Sequence, residues 1–541
     1  MTDQTIEGLT GIDAPPSLRR EISWTHAVGI ATGVPALVLF SIGAIASTVG
    51  SPSWLVWVAS VIIGTFQMFT YAEVVGMFSN KSGGAAVAGS LAWLPYSKAI
   101  PAISAWCYWL AWSPVLAIGT TIASGYILTS FFPADSIVNT WQLTLVNLSF
   151  IQPDLTLRVN ANFLVSAALL LVVFLIQHGG ILRAARFQVI FAVASLLPLG
   201  IIGILPLITG KADLHQLVPV VPLAHDAAGK VVPGHWDMAG ITLFVAGLGL
   251  AAWSSYGIEA CLVYAREFKR PNVDTIKASL ATAALCLFFY AVVPISFQAF
   301  LGLDGISDPK IADGSGVAEA MAKMVSTSQA VTAVIVAMLI ITLLLSVLTA
   351  MSGSSRTLYQ ASADGFLPKY LSKTNSHGVP GNAMWTDIAM NLVLLLVSNN
   401  VFLLALSNVC YLVFNFINLE SGWIHRVDRP DQKRPYKSPT WLIAVGGVLG
   451  FVNLFFVGMG SNVFGAGVLK WGLITAFLVL PFFFYRHYIV DKGVFPAALT
   501  EIAADGAGAS DLHVGRAGIL PYVAAIAGAL TVAVGAYLAV Y

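Results

Sequence analysis

Glu259 is the only Asp, Glu, His, Lys or Arg in the apolar run FVAGLGLAAWSSYGIEACLVY, residues Phe244 to Tyr264. A carboxylate inside such a run is costly in hydrocarbon and marks a functional candidate. It can hold and release a proton, pair with a cationic group on a solute, or simply bond a neighbouring helix. Trp253, Ser254, Ser255 and Tyr256 stand beside it, and Gly247, Gly249 and Gly257 weaken the helix around it. A second unusual run, Trp24 to Val49, contains GIATGVPALVLF, residues 29–40. Proline in a helix interior removes a donor and clashes with the preceding turn, at a cost of about 3 kcal/mol. The freed carbonyls find no water in hydrocarbon. The stretch Thr32, Gly33, Val34, Pro35 and Ala36 is therefore either a harmless kink or a break whose backbone meets a solute.

Other polar residues fill out the candidate set. Ser346, Thr349, Ser352 and Ser354 share one run and can cap backbone carbonyls or ligate sodium together with carbonyls of the first run; Thr349 and Ser352 are the ion-site candidates. Trp106, Trp109 and Trp112 recur at i, i+3, i+6 on one helical face, and Trp112 is the candidate for lining a site. Glu73, Asp387 and Glu420 lie near run ends and read as structural; Asn408, Asn415 and Asn418 read as bonds between helices. Arg356 and Asp364 read as elements of an inner gate. Cys107, Cys261, Cys286 and Cys410 lie in apolar runs without metal-ligand spacing. No His/Asp/Glu cluster or cofactor motif appears, so neither an enzyme nor a cofactor is expected.

The elements that carry these residues are membrane spans. The chain is 57% hydrophobic and 10% charged, against about 25% charged in soluble domains. The net charge of +1 suggests no nucleic-acid partner; the expected partners are a small-molecule solute and the lipid bilayer, and nothing sets an oligomeric state. Thirteen apolar runs fall near 24–49, 54–78, 101–130, 161–178, 187–209, 239–264, 276–302, 328–354, 383–399, 401–424, 440–462, 466–487 and 517–541. With the N-terminus placed in the cytoplasm, twenty-one of the 27 Lys and Arg fall in inside segments. That bias predicts a multi-pass protein of the cytoplasmic (inner) membrane with its N-terminus cytoplasmic. Residues 1–23 read as a cytoplasmic tail with no cleavable leader, 440–487 as two additional spans, 488–516 as a cytoplasmic linker, and 517–541 as an extra C-terminal span. Interrupted runs at positions one and six suggest equivalent places in two inverted halves.

Four stretches resemble the amino acid–polyamine–organocation (APC) superfamily: YAEVVGMFSNKSGGAAVAG (71–89), WSSYGIEACLVYAREFKRP (253–271), SSRTLYQASADGFLPKYLSKTNSHGVP (354–380) and DQKRPYKSP (431–439). The resemblance implies an all-α membrane protein of the leucine-transporter type. Its core is a 5+5 inverted repeat with broken helices 1 and 6, within about 12–13 transmembrane helices. The core would span 24–425, as repeats 24–209 and 239–425, with a site between spans one, three, six and eight. The nearest likeness is the bacterial arginine/agmatine antiporter type, which puts a gating aromatic at Trp253 and a proton-sensitive glutamate at Glu259. By the same likeness the solute cradle would be Thr32, Gly33, Val34, Pro35, Ala36, Trp112, Trp253, Ser254, Tyr256, Gly257 and Ala350. Three departures stand out. Pro35-Ala36-Leu37 replaces a glycine-rich break. Ala350 replaces a tryptophan that stacks on guanidinium, which disfavours arginine. Ser195 falls where many proton-coupled permeases carry a lysine, leaving a proton or a sodium gradient open. The function implied is a secondary active amino-acid permease, leaning to neutral amino acids, working by alternating access as a proton symporter or exchanger. The alternatives are a polyamine or organic amine exchanger and a non-transporting sensor.

Overall fold

The computed structural model describes residues 20–133, 135–227, 230–497, 499 and 515–540. Most of the expected tail (1–23) and much of the linker (488–516) lie outside the described residues. Among those described, twelve helices are long and apolar enough to cross a membrane. In order they are Trp24–Val49, Ser53–Met77, Ile100–Phe131, Ala161–His178, Ile190–Ile208, Met238–Glu267, Pro271–Ile306, Gln329–Ala363, Asn400–Asp428, Thr440–Phe464, Val468–Val490 and Leu520–Leu538. They are numbered below by the thirteen apolar runs, so that Asn400–Asp428 is the tenth span.

The ninth run departs from expectation. It forms a helix of 14 residues, Gly381–Leu394, about 21 Å long at 1.5 Å per residue, and so too short alone for about 30 Å of hydrocarbon. It still joins two sides of the molecule. Asn375, just before it, donates to His178 O at the end of the fourth span. Val397, just after it, bridges to Leu157 of a surface hairpin formed by Gln142–Asn147 and Thr156–Asn160. The hairpin takes over backbone bonding where the helix stops, with Arg158 N donating to Leu396 O at 2.8 Å.

Both suspect helices are interrupted. The first is α-helical over Trp24–Ala31, turns through Thr32–Val34, tightens to a 3₁₀ turn at Pro35–Leu37 and resumes as Val38–Val49. The sixth is α-helical over Met238–Ser255 and then 3₁₀ for 11 residues, Gly257–Glu267, where such runs rarely exceed three or four. Gly247 and Gly249 do not break the sixth span. They let it pack closely, the first against Val49 and Val56, the second against Phe456. The third span bends at Pro114, between Ile100–Trp112 and Pro114–Phe131.

The interrupted helices occupy the centre, and the first span is almost wholly buried. The sixth span packs on the first and second, the seventh on the second, and the eighth and tenth on the third. This is the all-α, inverted-repeat arrangement with broken helices one and six. The fourth, fifth and thirteenth spans lie outside and expose apolar stripes such as Leu164, Leu171 and Leu175, or Val523, Ile526 and Leu530, as lipid-facing helices do. The thirteenth span docks on the eleventh through small residues. A Cβ on Gly535 would lie 2.9 Å from Met459 N and Phe455 O, and Gly458 faces the backbone of Val532 and Ala536.

Candidate functional site

Leu37, Ala111, Trp112, Val115, Trp253 and Tyr411 converge on a narrow cavity between the first, third, sixth and tenth spans. No water-sized molecule fits between these side chains, against roughly 300–1,000 Å³ for ligand pockets, so the site is closed down in this state. The Trp253 indole is pinned by its Nε1, which donates to Ser407 Oγ at 2.8 Å and Ala111 O at 3.1 Å. Phe40 packs on the same ring, 5.8 Å between centroids. Gly257 brings the two breaks together: a Cβ there would come within 2.9 Å of Val34 Cγ1 and 3.0 Å of the Trp112 ring.

Glu259 is buried and bonded to Tyr411, one of the lining residues. Its Oε1 accepts from Tyr411 Oη at 2.8 Å, and its Oε2 has no protein partner. Trp112 and Tyr108 lie beside it, and neither the Trp112 Nε1 nor the Tyr108 hydroxyl finds a partner. Among the described residues Glu259 forms no ion pair, whereas Glu73 and Glu267 both do. The aromatic wall is continuous: Tyr108 and Tyr411 pack on Phe414 at 4.8 and 5.6 Å, and Trp112 stands edge-on to Tyr411 at 6.5 Å.

Several carbonyls at the breaks are capped by side chains, as burial demands. Tyr290 Oη of the seventh span lies 2.6 Å from Val34 O and 2.7 Å from Ser254 O, joining both interruptions. Ser254 Oγ bonds Leu37 O and Ser41 Oγ, and Thr32 Oγ1 donates to Gly29 O. From the eighth span, Ser346 Oγ donates to Gly33 O at 2.8 Å and Thr349 Oγ1 to Ile30 O at 2.6 Å. Gln188 of the fifth span reaches the same point, with Nε2 3.4 Å from both Ile30 O and Thr349 Oγ1. Of the two candidate ion ligands, Thr349 lies at the first break and bonds Ile30 O, while Ser352 accepts from Arg356 Nη1 at 2.9 Å. Tyr256 is buried against Gly64 with its hydroxyl unpartnered. Ala350 is buried next to Thr349 but does not line the cavity.

The expected cradle therefore divides. Trp112 and Trp253 line the cavity; Val34 and Gly257 meet against Trp112; Thr32, Gly33, Pro35, Ala36 and Ser254 form the break and its caps. Ala111, Val115, Tyr411, Tyr290 and Gln188 were not singled out from sequence, and Leu37 entered only as the last residue of Pro35-Ala36-Leu37. Tyr411 had a signal, because it lies on the face of the tenth run marked by Asn408, Asn415 and Asn418. Ala111 and Val115 had none, being apolar residues in apolar runs.

The side where the first span begins is shut. Arg356 pairs with Glu267, Nε to Oε1 at 2.5 Å and Nη2 to Oε2 at 3.1 Å, and stacks on Tyr264. Lys81 Nζ meets Asp364 Oδ1 at 2.6 Å. Glu21 N and Ile22 N donate to Glu267 O, and Lys269 N returns a bond to Ile22 O. The Gly83-Gly84 pair is required here: both adopt positive φ, and a Cβ on Gly84 would stand 3.2 Å from Val263 N. Asp387 is a structural acid, bonded by Trp109 Nε1, Ser113 Oγ and Ser354 Oγ.

Two interrupted helices crossing at a buried acid, inside a bundle of apolar helices, define a multi-pass membrane protein of the inverted-repeat class. The chain belongs to the amino acid permease family, whose model matches residues 22–484. It is also 24% identical over 286 residues to the branched-chain amino acid permease BcaP of Lactococcus lactis subsp. cremoris (strain MG1363). That match covers 52% of this chain and 56% of the relative, so the chain spans just over half the length of the curated relative it matches.

Proposed function

We propose that this chain is a proton-coupled secondary carrier of neutral amino acids with aliphatic side chains, working by alternating access in the cytoplasmic membrane with its N-terminus inside. The carrying observation is Glu259, buried without a cation and joined through Tyr411 to a cavity whose remaining walls are Leu37, Ala111, Trp112, Val115 and Trp253. Apolar walls favour an aliphatic side chain by roughly 25 cal/mol per Å² buried. A cationic side chain would enter a site with no second buried charge to meet it. The name of the relative, a branched-chain amino acid permease, supports the same class. The excess of Lys and Arg on the side of the shut gate supports the orientation.

In this reading Trp253 covers the solute, and the break at Thr32–Ala36 with Tyr256–Gly257 cradles its backbone groups. Carbonyls now held by Tyr290, Ser346 and Thr349 would exchange those partners for the solute ammonium. Glu259 takes up a proton with the solute and loses it after the gate opens. The test is counterflow in proteoliposomes with leucine, valine, arginine and agmatine in turn. Leucine and valine are expected to exchange, and Glu259→Gln to leave exchange running while flattening its dependence on pH. Exchange of arginine or agmatine alone, or an unchanged pH profile in the variant, overturns the reading.

A further inference from the structure

The one hydrogen bond that Glu259 receives leads onto a polar face of the tenth span. Tyr411, Asn415, Asn418 and His425 recur at intervals of three, four and seven residues, so they fall in a narrow arc of the helix, and all four are buried. Tyr71 Oη donates to Asn415 Oδ1 at 2.5 Å. Asn418 Nδ2 donates to Ser104 Oγ at 2.8 Å, and its Oδ1 rests against Gly89, where a Cβ would collide with it. His425 Nε2 lies 3.3 Å from Ala88 O. Beyond His425 the face ends at a charged cluster, with Arg434 Nη2 donating to His425 O and both Arg426 and Arg434 clasping Glu73.

Packing alone does not account for this face. Glu259 Oε2, Tyr108 Oη, Asn418 Oδ1 and His425 Nδ1 are buried without a protein partner along its length, and groups of that kind are the ones bridging water satisfies where there is room for it. The groups facing Glu259 are the Tyr71, Tyr108, Tyr290 and Tyr411 hydroxyls, the Trp112 indole and the Cys261 and Cys286 thiols, with no cation. Those facing His425 are Arg429, Arg434 and the Phe78 ring. The shut gate uses other elements, namely the segment before the first span, the sixth and eighth spans and the loop after the second.

We propose that the tenth-span face from Tyr411 through Asn415 and Asn418 to His425 conducts the proton between Glu259 and the side where the N-terminus lies, apart from the path of the solute. One proton leaves the carboxyl and one emerges beyond His425, each intervening hydroxyl or water accepting one and passing one on. The inference rests on the proton role proposed for Glu259. The test pairs two readouts in proteoliposomes: leucine counterflow at equal pH, and leucine accumulation driven by a pH gradient with an internal pH dye. Asn418→Leu and His425→Phe are expected to keep counterflow within twofold of wild type while accumulation and the dye signal fall at least tenfold. Asn418→Ser and His425→Gln, which keep hydrogen-bonding groups, are expected to restore both. If the first pair fails to fold, Gly89→Ala presses on Asn418 from the opposite helix and should give the same split. Variants that accumulate leucine like wild type overturn the relay alone. Counterflow lost together with accumulation in all of them assigns a structural role and also overturns it. Wild-type protein that moves no proton with solute overturns the relay and the proton role together.

Discussion

At the scale of single residues, the positions that hold the site together differ from those that announce it. Tyr290 carries no signal in its apolar run, yet its hydroxyl serves Val34 O and Ser254 O at once. Tyr290→Phe removes the one hydroxyl proton these carbonyls share, while Val34 O keeps the Leu37 N–H; a buried carbonyl left short of a donor costs about 1–3 kcal/mol. Purified variant is expected to melt below wild type in a thermal-shift assay, with slower leucine counterflow; an unchanged Tm would show that other groups hold the breaks. Glu259, Trp253 and Trp112 were legible because polar or bulky aromatic groups in hydrocarbon need a reason to be there. Tyr290 and Gln188 were not, since their meaning lies in partners 256 and 158 residues away in sequence.

At the scale of elements, proline and glycine placed the interruption of the first helix correctly. In the sixth, three glycines were read alike, although Gly247 and Gly249 serve helix packing and the break falls at Tyr256–Gly257. Hydropathy located every run but not the length of the ninth helix, because a hairpin far off in sequence takes over its backbone bonds. Gly33 marks where the first and eighth helices nearly touch: a Cβ would lie 2.7 Å from Leu345 O and 2.9 Å from Ser346 Cα. Backbone cannot yield there as a side-chain tip can. Gly33→Ala is expected to part the two helices, loosen the Ser346 bond to Gly33 O, and cut counterflow severely at near-normal expression. Counterflow at the wild-type rate would mean that the crossing tolerates separation.

For the whole molecule, closure on one side rests on the Arg356–Glu267 pair, both partners buried. Removing one member of such a pair leaves an uncompensated charge at a cost of about 3–5 kcal/mol, so Arg356→Gln should favour states in which that side opens. All four cysteines are buried and free, and Cys261 lies on the 3₁₀ stretch leading to Glu267. Alkylation read by mass spectrometry is expected to be severalfold faster at Cys261 in the variant, with Cys107 unchanged; equal rates would relieve the pair of its gating role. That stretch also stores length. Eleven residues at 2.0 Å per residue span about 22 Å, and the same residues wound as α-helix would span about 16 Å. Rewinding would draw Glu267 inward by about the pitch of one α-helical turn. Such a carrier could unlock by shortening a strut, with neither half of the molecule needing to tilt.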